Sequence, residues 1–341
     1  MLSVLITCAG GNGKQNLFDS IRNNPDNEPV KIITCDVKNY DLLKHQSDGF
    51  YIIPKSDNQN FINTLYDICL KEKIDVILSS NEDECYTISK NLDIFKSIGT
   101  HATVNIPKSY EDTDYKHKTF NDLHDKIDVP KYHVATTFSE YQQSNIQKKC
   151  LKPSRRSITG GARGFRVIDD SISAFNRVMK LENNDVIDTK TVKDFFDYNI
   201  DLEPMLIMEY LPGDKYTAAV FSHNGHLESI SINHLRSRES ELSTDCDLGV
   251  THDKIKRYCE IIVKQYNLDY CSIIEFKESY NGDAKFIEIN PRIGSSTALT
   301  WQLGLNHPYM AIKKALGENF LKYNSTPKGR CFRYWTEESF Y

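Results

Sequence analysis

The sequence predicts an α/β (α+β) protein of several subdomains, with a doubly wound parallel sheet at its start and antiparallel strands toward its end. Three observations carry this. Short apolar runs alternate with helical patterns over the first hundred residues, a glycine cluster follows the first run, and two β-type runs near residue 280 flank an Asn-Gly pair.

Residues 3–7 (SVLIT) form a run suited to a buried strand, and Gly10, Gly11 and Gly13 follow it. An amphipathic stretch at 17–21 comes next, then the run 31–35 (KIITC) closed by Asp36, a helical period over 61–70, and the run 75–78 (DVIL). The glycines suggest a dinucleotide turn with Asp36 as the ribose acid. AGGNGKQN lacks the third glycine of G-x-G-x-x-G, so the expected element is a tight strand-to-helix turn that binds no dinucleotide. Composition shifts near Pro107. The expected divisions are 1–110, 111–211, 212–320 and a tail over 321–341 without a clear period. Strand-like runs fall at 217–221, 273–276 and 285–289.

Bulk chemistry excludes several classes. The formal net charge of -5 gives no electrostatic case for nucleic acid. No stretch approaches the roughly 20 apolar residues of a membrane span. The first residues lack the basic region of a signal peptide. Nine cysteines occur singly with no C-x-x-C pair, the pattern of reduced thiols in a cytoplasmic protein rather than of a zinc site.

The strongest local inference lies in 271–292, CSIIEFKESYNGDAKFIEINPR. A two-residue loop at Asn281-Gly282 puts Glu275 opposite Glu288, with Asn290 on the face of Glu288 because side chains alternate. Opposed carboxylates repel, and a hard divalent cation such as Mg²⁺ or Mn²⁺ removes that penalty. The plainer reading has one glutamate facing solvent or paired with a lysine. Pro291 takes the chain out of the sheet, which sets Arg292 beside the proposed metal.

A second constellation is CLKPSRRSITGGARGFRVI, residues 150–168. Lys152 lies on a strand, and Gly160, Gly161 and Gly164 follow in a loop whose backbone N–H groups can turn toward an anion and close over it. A basic surface hairpin is the plain alternative. Residues 206–216, LIMEYLPGDKY, read as an apolar strand and hinge able to present backbone groups to an adenine, or as a simple strand end.

Taken in order, these pieces resemble the ATP-grasp superfamily, in the branch of the carbamoyl-phosphate synthetase large subunit and related carboxylate–amine ligases, from the first strand to about residue 318. The resemblance implies a Rossmann-like N-terminal domain, a small lid subdomain and an antiparallel-sheet C-terminal subdomain. YKHKTFNDL resembles the motif of the first ATP lysine and implies Lys116, with Lys118 as the alternative. KPSRRSITGGARG implies Lys152, Gly160 and Gly161 at the triphosphate. MEYLPGDKYT implies Glu209, Tyr210 and Leu211 at the adenine. FIEINPR implies Glu288 and Asn290 as metal ligands with Glu275 as their partner, and Arg292 at the substrate or transition state. HLRSRES is similar to the basic strand facing the phosphates, which adds Arg238 to Arg292 and Lys152 as catalytic candidates. Lys215 stands where the family carries a ribose acid, a place Asp214 is positioned to take.

The implied activity is ATP-dependent ligation of a small carboxylate to a small amine through an acyl phosphate, with ATP and Mg²⁺ (or Mn²⁺). Neither nucleic acid nor membrane is a partner on this reading, and a homodimer is one option for the assembly. Two other readings stay open: a nucleotide-binding regulatory protein of the same fold without ligase turnover, and a dinucleotide-dependent oxidoreductase using the N-terminal glycines.

Overall fold

The computed structural model describes residues 1–11, 13–156, 164–171, 186–198, 203–239 and 242–334, together with 337 and 339. It divides into two compact units, one of Met1–Glu111, Lys215–Glu275 and Ile289–Tyr341, the other of Asp112–Asp214 and Phe276–Glu288.

The first unit opens with β1 (Leu2–Thr7), β2 (Val30–Asp36), β3 (Gly49–Ile52), β4 (Val76–Ser79) and β5 (His101–Ala102), in the order β3-β2-β1-β4-β5 with all four pairings parallel. This is the doubly wound sheet expected from the apolar runs. All six residues of β1 are buried because both faces are covered. Leu2, Val4 and Ile6 enter a core with Leu17, Phe18 and Ile21 of the helix Gln15–Arg22 and with Tyr309 and Ile312 of the helix His307–Ala315. Leu5, of opposite parity, enters a second core with Phe61, Leu65 and Ile68 of the helix Phe61–Glu72. Period-two alternation therefore assigns one strand to two cores.

The second unit holds β6 (Tyr132–Ala135), β7 (Lys149–Pro153), β8 (Arg166–Ile168), β9 (Val186–Ile187) and β10 (Met205–Glu209), in the order β6-β10-β7-β8-β9. Its pairings are antiparallel except for β8 with β9. Leu151, Met205 and Ile207 share a core with Tyr141 of the helix Phe138–Gln142 and with Val192 and Phe196 of the helix Thr189–Tyr198. Leu206 and Lys152, paired across β10 and β7, fall on the other parity.

The remaining sheet contains β11 (Lys215–His223), β12 (His226–Glu239), β13 (Leu242–Leu248), β14 (Tyr270–Glu278), β15 (Ala284–Asn290) and β16 (Gly329–Phe332), in the order β15-β14-β11-β12-β13-β16. The tips of β14 and β15, residues 276–288, group with the second unit. Strands β11, β14 and β15 contain the three expected runs. Strands β12 and β13 are too rich in Ser, Asp, Arg and His to stand out as apolar runs. In the expected tail, β16 pairs with β13 at the sheet edge, a four-residue strand too short to display a period.

One sequence expectation is corrected here. The hairpin between β14 and β15 closes with Ser279 N donating to Asp283 O at 2.9 Å and Gly282 N donating to Ser279 O at 3.1 Å. Three residues, Tyr280, Asn281 and Gly282, therefore lie between the closing pair, and Gly282 has φ +78°. This is a type I turn with a glycine bulge rather than the two-residue turn, and it moves β15 by one position relative to β14. The rings of Phe276 and Phe286 meet edge-to-face at 6.2 Å, in agreement with the shifted pairing. Glu275 and Glu288 are thus not direct cross-strand counterparts.

Gly249, just after β13, has φ +66°, and a Cβ there would lie 1.6 Å from the Pro327 carbonyl oxygen. Gly249→Ala combines left-handed strain with a backbone collision. The expected loss is about 2 kcal/mol or more, read from the shift in urea midpoint.

Candidate active site

The second unit brings two of the expected lysines to one carboxylate. Lys116 N donates to Ser154 O at 2.9 Å, Arg156 N donates to Asp114 O at 2.7 Å, and Tyr115 bridges Arg155. This short antiparallel clamp fixes the start of the helix Lys116–Leu123 against the end of β7, which carries Lys152. The same helix face places Phe120 one turn after Lys116. On β15, Phe286 and Glu288 are likewise two residues apart on one side. Phe120 meets Phe286 edge-to-face at 5.8 Å, and Lys116 Nζ lies 3.5 Å from Glu288 Oε2. Lys152 Nζ donates to the same oxygen at 2.8 Å.

All three side chains are about nine-tenths buried. Two ammonium groups thus converge on one carboxylate in a poorly solvated place. Buried ammonium groups favour an anion carrying several oxygens. Lys118 is exposed and lies over the Tyr115 ring at 4.4 Å, so Lys116 rather than Lys118 reaches Glu288.

The hinge residues belong to the same unit. Glu209 Oε2 accepts from Lys131 N at 2.8 Å, and its Oε1 pairs with Lys285 Nζ at 2.5 Å. Tyr210 N donates to Lys148 O at 2.9 Å, and Leu211 is buried. Asp214 is exposed, and its carbonyl accepts from Glu278 N. Lys285 is a partner that sequence reasoning missed. Its only signal was a lysine at the start of a strand that alternates apolar and polar residues. Gly160 and Gly161 lie outside the described residues.

The other candidates belong to the first unit. Glu275 Oε2 pairs with Lys215 Nζ at 2.7 Å, the plainer of the two readings of that glutamate. Arg292 Nη2 donates to Asn290 Oδ1 at 3.3 Å, and its Nε lies 3.7 Å from Glu82 Oε1. Asn105, buried, donates from Nδ2 to Pro291 O at 2.9 Å and holds the chain where it leaves β15. Neither Glu82 nor Asn105 was picked out in the sequence, because contacts over such long separations leave no local pattern. Arg238 is on β12, and its side chain lies outside the described residues.

The glycine turn after β1 stands where the parallel sheet reverses its winding, the usual ligand crevice of such sheets. Asp36 Oδ2 accepts from Gly10 N at 2.9 Å, and the Tyr40 ring lies so close to Gly10 that a Cβ there would come within 2.1 Å of it. The turn is thus packed by its own chain. Lys14 lies half-buried beside it and donates to Ser80 Oγ, and desolvation of its ammonium pulls it below the ordinary range. Burial pushes the Cys8 thiol up to about 11, which leaves it a poor nucleophile at neutral pH.

Glu84 accepts from Thr7 Oγ1 at 2.5 Å and from Ser79 Oγ at 3.3 Å, and burial raises its carboxyl to about 7. The folded-state value lies above the unfolded one, so the folded chain binds the extra proton. Stability is then fully present below about pH 4.5 and is lost as pH rises toward 7. Glu84→Gln is expected to remove that slope and to raise the urea midpoint at pH 8. The upper bound is about 3 kcal/mol.

Among the described residues no helix is long and apolar enough to cross a membrane. A family described as "ATP-grasp in the biosynthetic pathway with Ter operon" matches residues 201–337, and "PylC-like, N-terminal domain" matches residues 4–103. No curated protein matches the sequence. Solved structures share the fold at low identity. The L-amino acid ligase of Bacillus licheniformis is 12% identical with a TM-score of 0.64, over 93% of this chain and 74% of that one. The ADP complex of Staphylococcus aureus N5-carboxyaminoimidazole synthetase is 12% identical with a TM-score of 0.65, over 97% and 80%. The biotin carboxylase domain dimer of Hydrogenobacter thermophilus 2-oxoglutarate carboxylase, with MgADP, ADP and bicarbonate, is 16% identical with a TM-score of 0.62, over 93% and 70%. With the parallel sheet at its start and the antiparallel sheet after it, the chain has an ATP-grasp fold, its residues 201–337 matching an ATP-grasp family and its residues 4–103 a PylC-like N-terminal domain.

Proposed function

We propose that the chain is an ATP-dependent ligase that activates a carboxylate as an acyl phosphate and joins it to an amine, releasing ADP and phosphate. The observation that carries this reading is the convergence of Lys116 and Lys152 on Glu288 within one compact unit. That cluster has the charge to receive a polyphosphate. Structural neighbours solved with ADP or MgADP support a nucleotide at this kind of fold.

In this reading Lys116 and Lys152 neutralise phosphate oxygens, and the hinge at Glu209, Tyr210 and Leu211 receives the adenine. The site residues fit Mg²⁺ (or Mn²⁺), since carboxylate and amide oxygens suit a hard cation. The two ammonium groups beside Glu288 repel a bare cation, so the fit requires the phosphates to arrive with it. Glu288 and Asn290 are the proposed donors, and the bound ion would supply charge neutralisation at the terminal phosphates. The remaining work is positioning. A carboxylate oxygen of the substrate attacks the terminal phosphorus and ADP leaves. The amine then attacks the acyl carbon and phosphate leaves, with Arg292 steadying the developing negative charge. No protein nucleophile is needed.

One observation favours a second reading. Lys215 already neutralises Glu275, which suits a protein that binds nucleotide without turnover. A phosphate-release screen over amino acids and small amines, with ATP and Mg²⁺, separates the two. Release that needs both a carboxylate and an amine supports the ligase. Nucleotide binding with no release for any pair favours the regulatory reading.

A further inference from the structure

We propose that Cys246 and Cys331 form a reversible disulfide site that braces the loop following Arg292. The two residues face each other directly in the antiparallel pair of β13 and β16, and neither is in a disulfide. Opposed residues in such a ladder share a face. Arg333 N donates to Thr244 O at 2.8 Å, which marks that pair as hydrogen-bonded, and alternation makes Cys246 and Cys331 a bonded pair too. Their Cα atoms are then roughly 5.5 Å apart, inside the range of about 4.4–6.8 Å that a disulfide spans. Their Cβ atoms start somewhat wide of the preferred separation, so closure draws the strands together. A bond made under such strain is readily reduced, which suits a reversible site rather than a permanent staple.

The surroundings connect this pair to the loop. Leu299 is in the same small apolar cluster as Cys246, Leu248 and Cys331. Arg333, half-buried beside both thiols, donates from Nη2 to the carbonyl of Ser295. Burial raises the Cys331 thiol, and the Arg333 guanidinium acts against it by favouring thiolate. Cys331 is the more exposed of the two and is the entry point, with Cys246 as the resolving thiol.

The step uses a disulfide oxidant such as oxidised glutathione. The Cys331 thiolate attacks one glutathione sulfur and releases a glutathione thiolate. The Cys246 sulfur then attacks the Cys331 sulfur of the mixed disulfide and expels the second glutathione. Two protein thiols become one disulfide, and their protons pass to two reduced glutathiones.

The test equilibrates the full chain in buffers of stepped oxidised-to-reduced glutathione ratio, quenches with an alkylating agent and maps the peptides. The expected result is loss of two of the nine thiols, a single linked peptide joining residues 246 and 331, and slower amide exchange over 294–300. Reductant should reverse both changes, and Cys331→Ser should abolish them. All nine thiols surviving in the most oxidising buffer would overturn the site, as would glutathione resting on Cys331 alone or a linkage between other cysteines. A 246–331 disulfide with unchanged exchange over 294–300 would overturn the bracing. Mapping of the natural chain stands even if the serine variant fails to fold.

Discussion

Lys152→Ala is expected to lower ATP turnover by at least about a hundredfold to a thousandfold, the scale seen when a preorganised charged donor is removed from a reacting oxyanion. Lys152 is not on an exposed loop. It sits on a strand, nearly buried, with its ammonium 2.8 Å from Glu288. Alanine takes the nearer ammonium from Glu288 while Lys116 stays at 3.5 Å, and it removes one of the two positive charges that a phosphate would meet. Glu288→Gln should abolish turnover by a different route, since it removes the negative charge that would hold a hard cation and that faces the two lysines. Initial rates of phosphate release, with nucleotide affinity measured separately, decide the matter. Full turnover in either variant would remove these residues from the site. Circular dichroism and a urea curve on each variant guard against a trivial loss of fold, because stripping one partner from a buried ion pair also costs stability.

Phe286→Ala is expected to destabilise the second unit by about 3–5 kcal/mol. Phe286 is fully buried and meets two other rings, Phe120 at 5.8 Å and Phe276 at 6.2 Å, both edge-to-face. Truncation removes the shared wall of that cluster, and the resulting cavity borders strand β15 and the helix of Lys116, neither of which can shift freely to fill it. Urea unfolding monitored by circular dichroism should show the midpoint fall. Phe286→Leu should recover a good part of the loss, because it keeps most of the apolar volume. A loss below about 1 kcal/mol for alanine would mean that the tip of the hairpin is not anchored by this cluster. Phe286 is also two residues before Glu288, so a loosened β15 should weaken nucleotide binding even where the fold survives.

Much of the architecture was legible because it rests on local periodicity. The run at 3–7 became β1, the run at 31–35 became β2, and the helical period at 61–70 became the helix Phe61–Glu72. What escaped was polar or short. Strand β12 carries Ser, His and Arg at many positions, so only the resemblance of HLRSRES to a basic strand pointed to part of it, and β16 is four residues long. The hairpin after β14 shows a subtler failure. Asn-Gly is the signature of a two-residue turn, but a glycine at positive φ also closes a three-residue turn with a bulge, and the local sequence alone does not choose between them. That one-residue difference removed the Glu275–Glu288 pairing.

The sequence by itself determined which residue types were available: the lysines at 116 and 152, the carboxylate at 288 with its amide two positions on, and the apolar alternation that makes strands of their neighbours. Only the tertiary structure decided which of them meet. It chose Lys116 over Lys118, gave Glu209 a partner in Lys285 and Glu275 one in Lys215, and set Cys331 across from Cys246. The physical reason is that charge pairing and strand register depend on distances between segments far apart in the chain. Side-chain periodicity constrains the face each residue shows, but not the residue it faces.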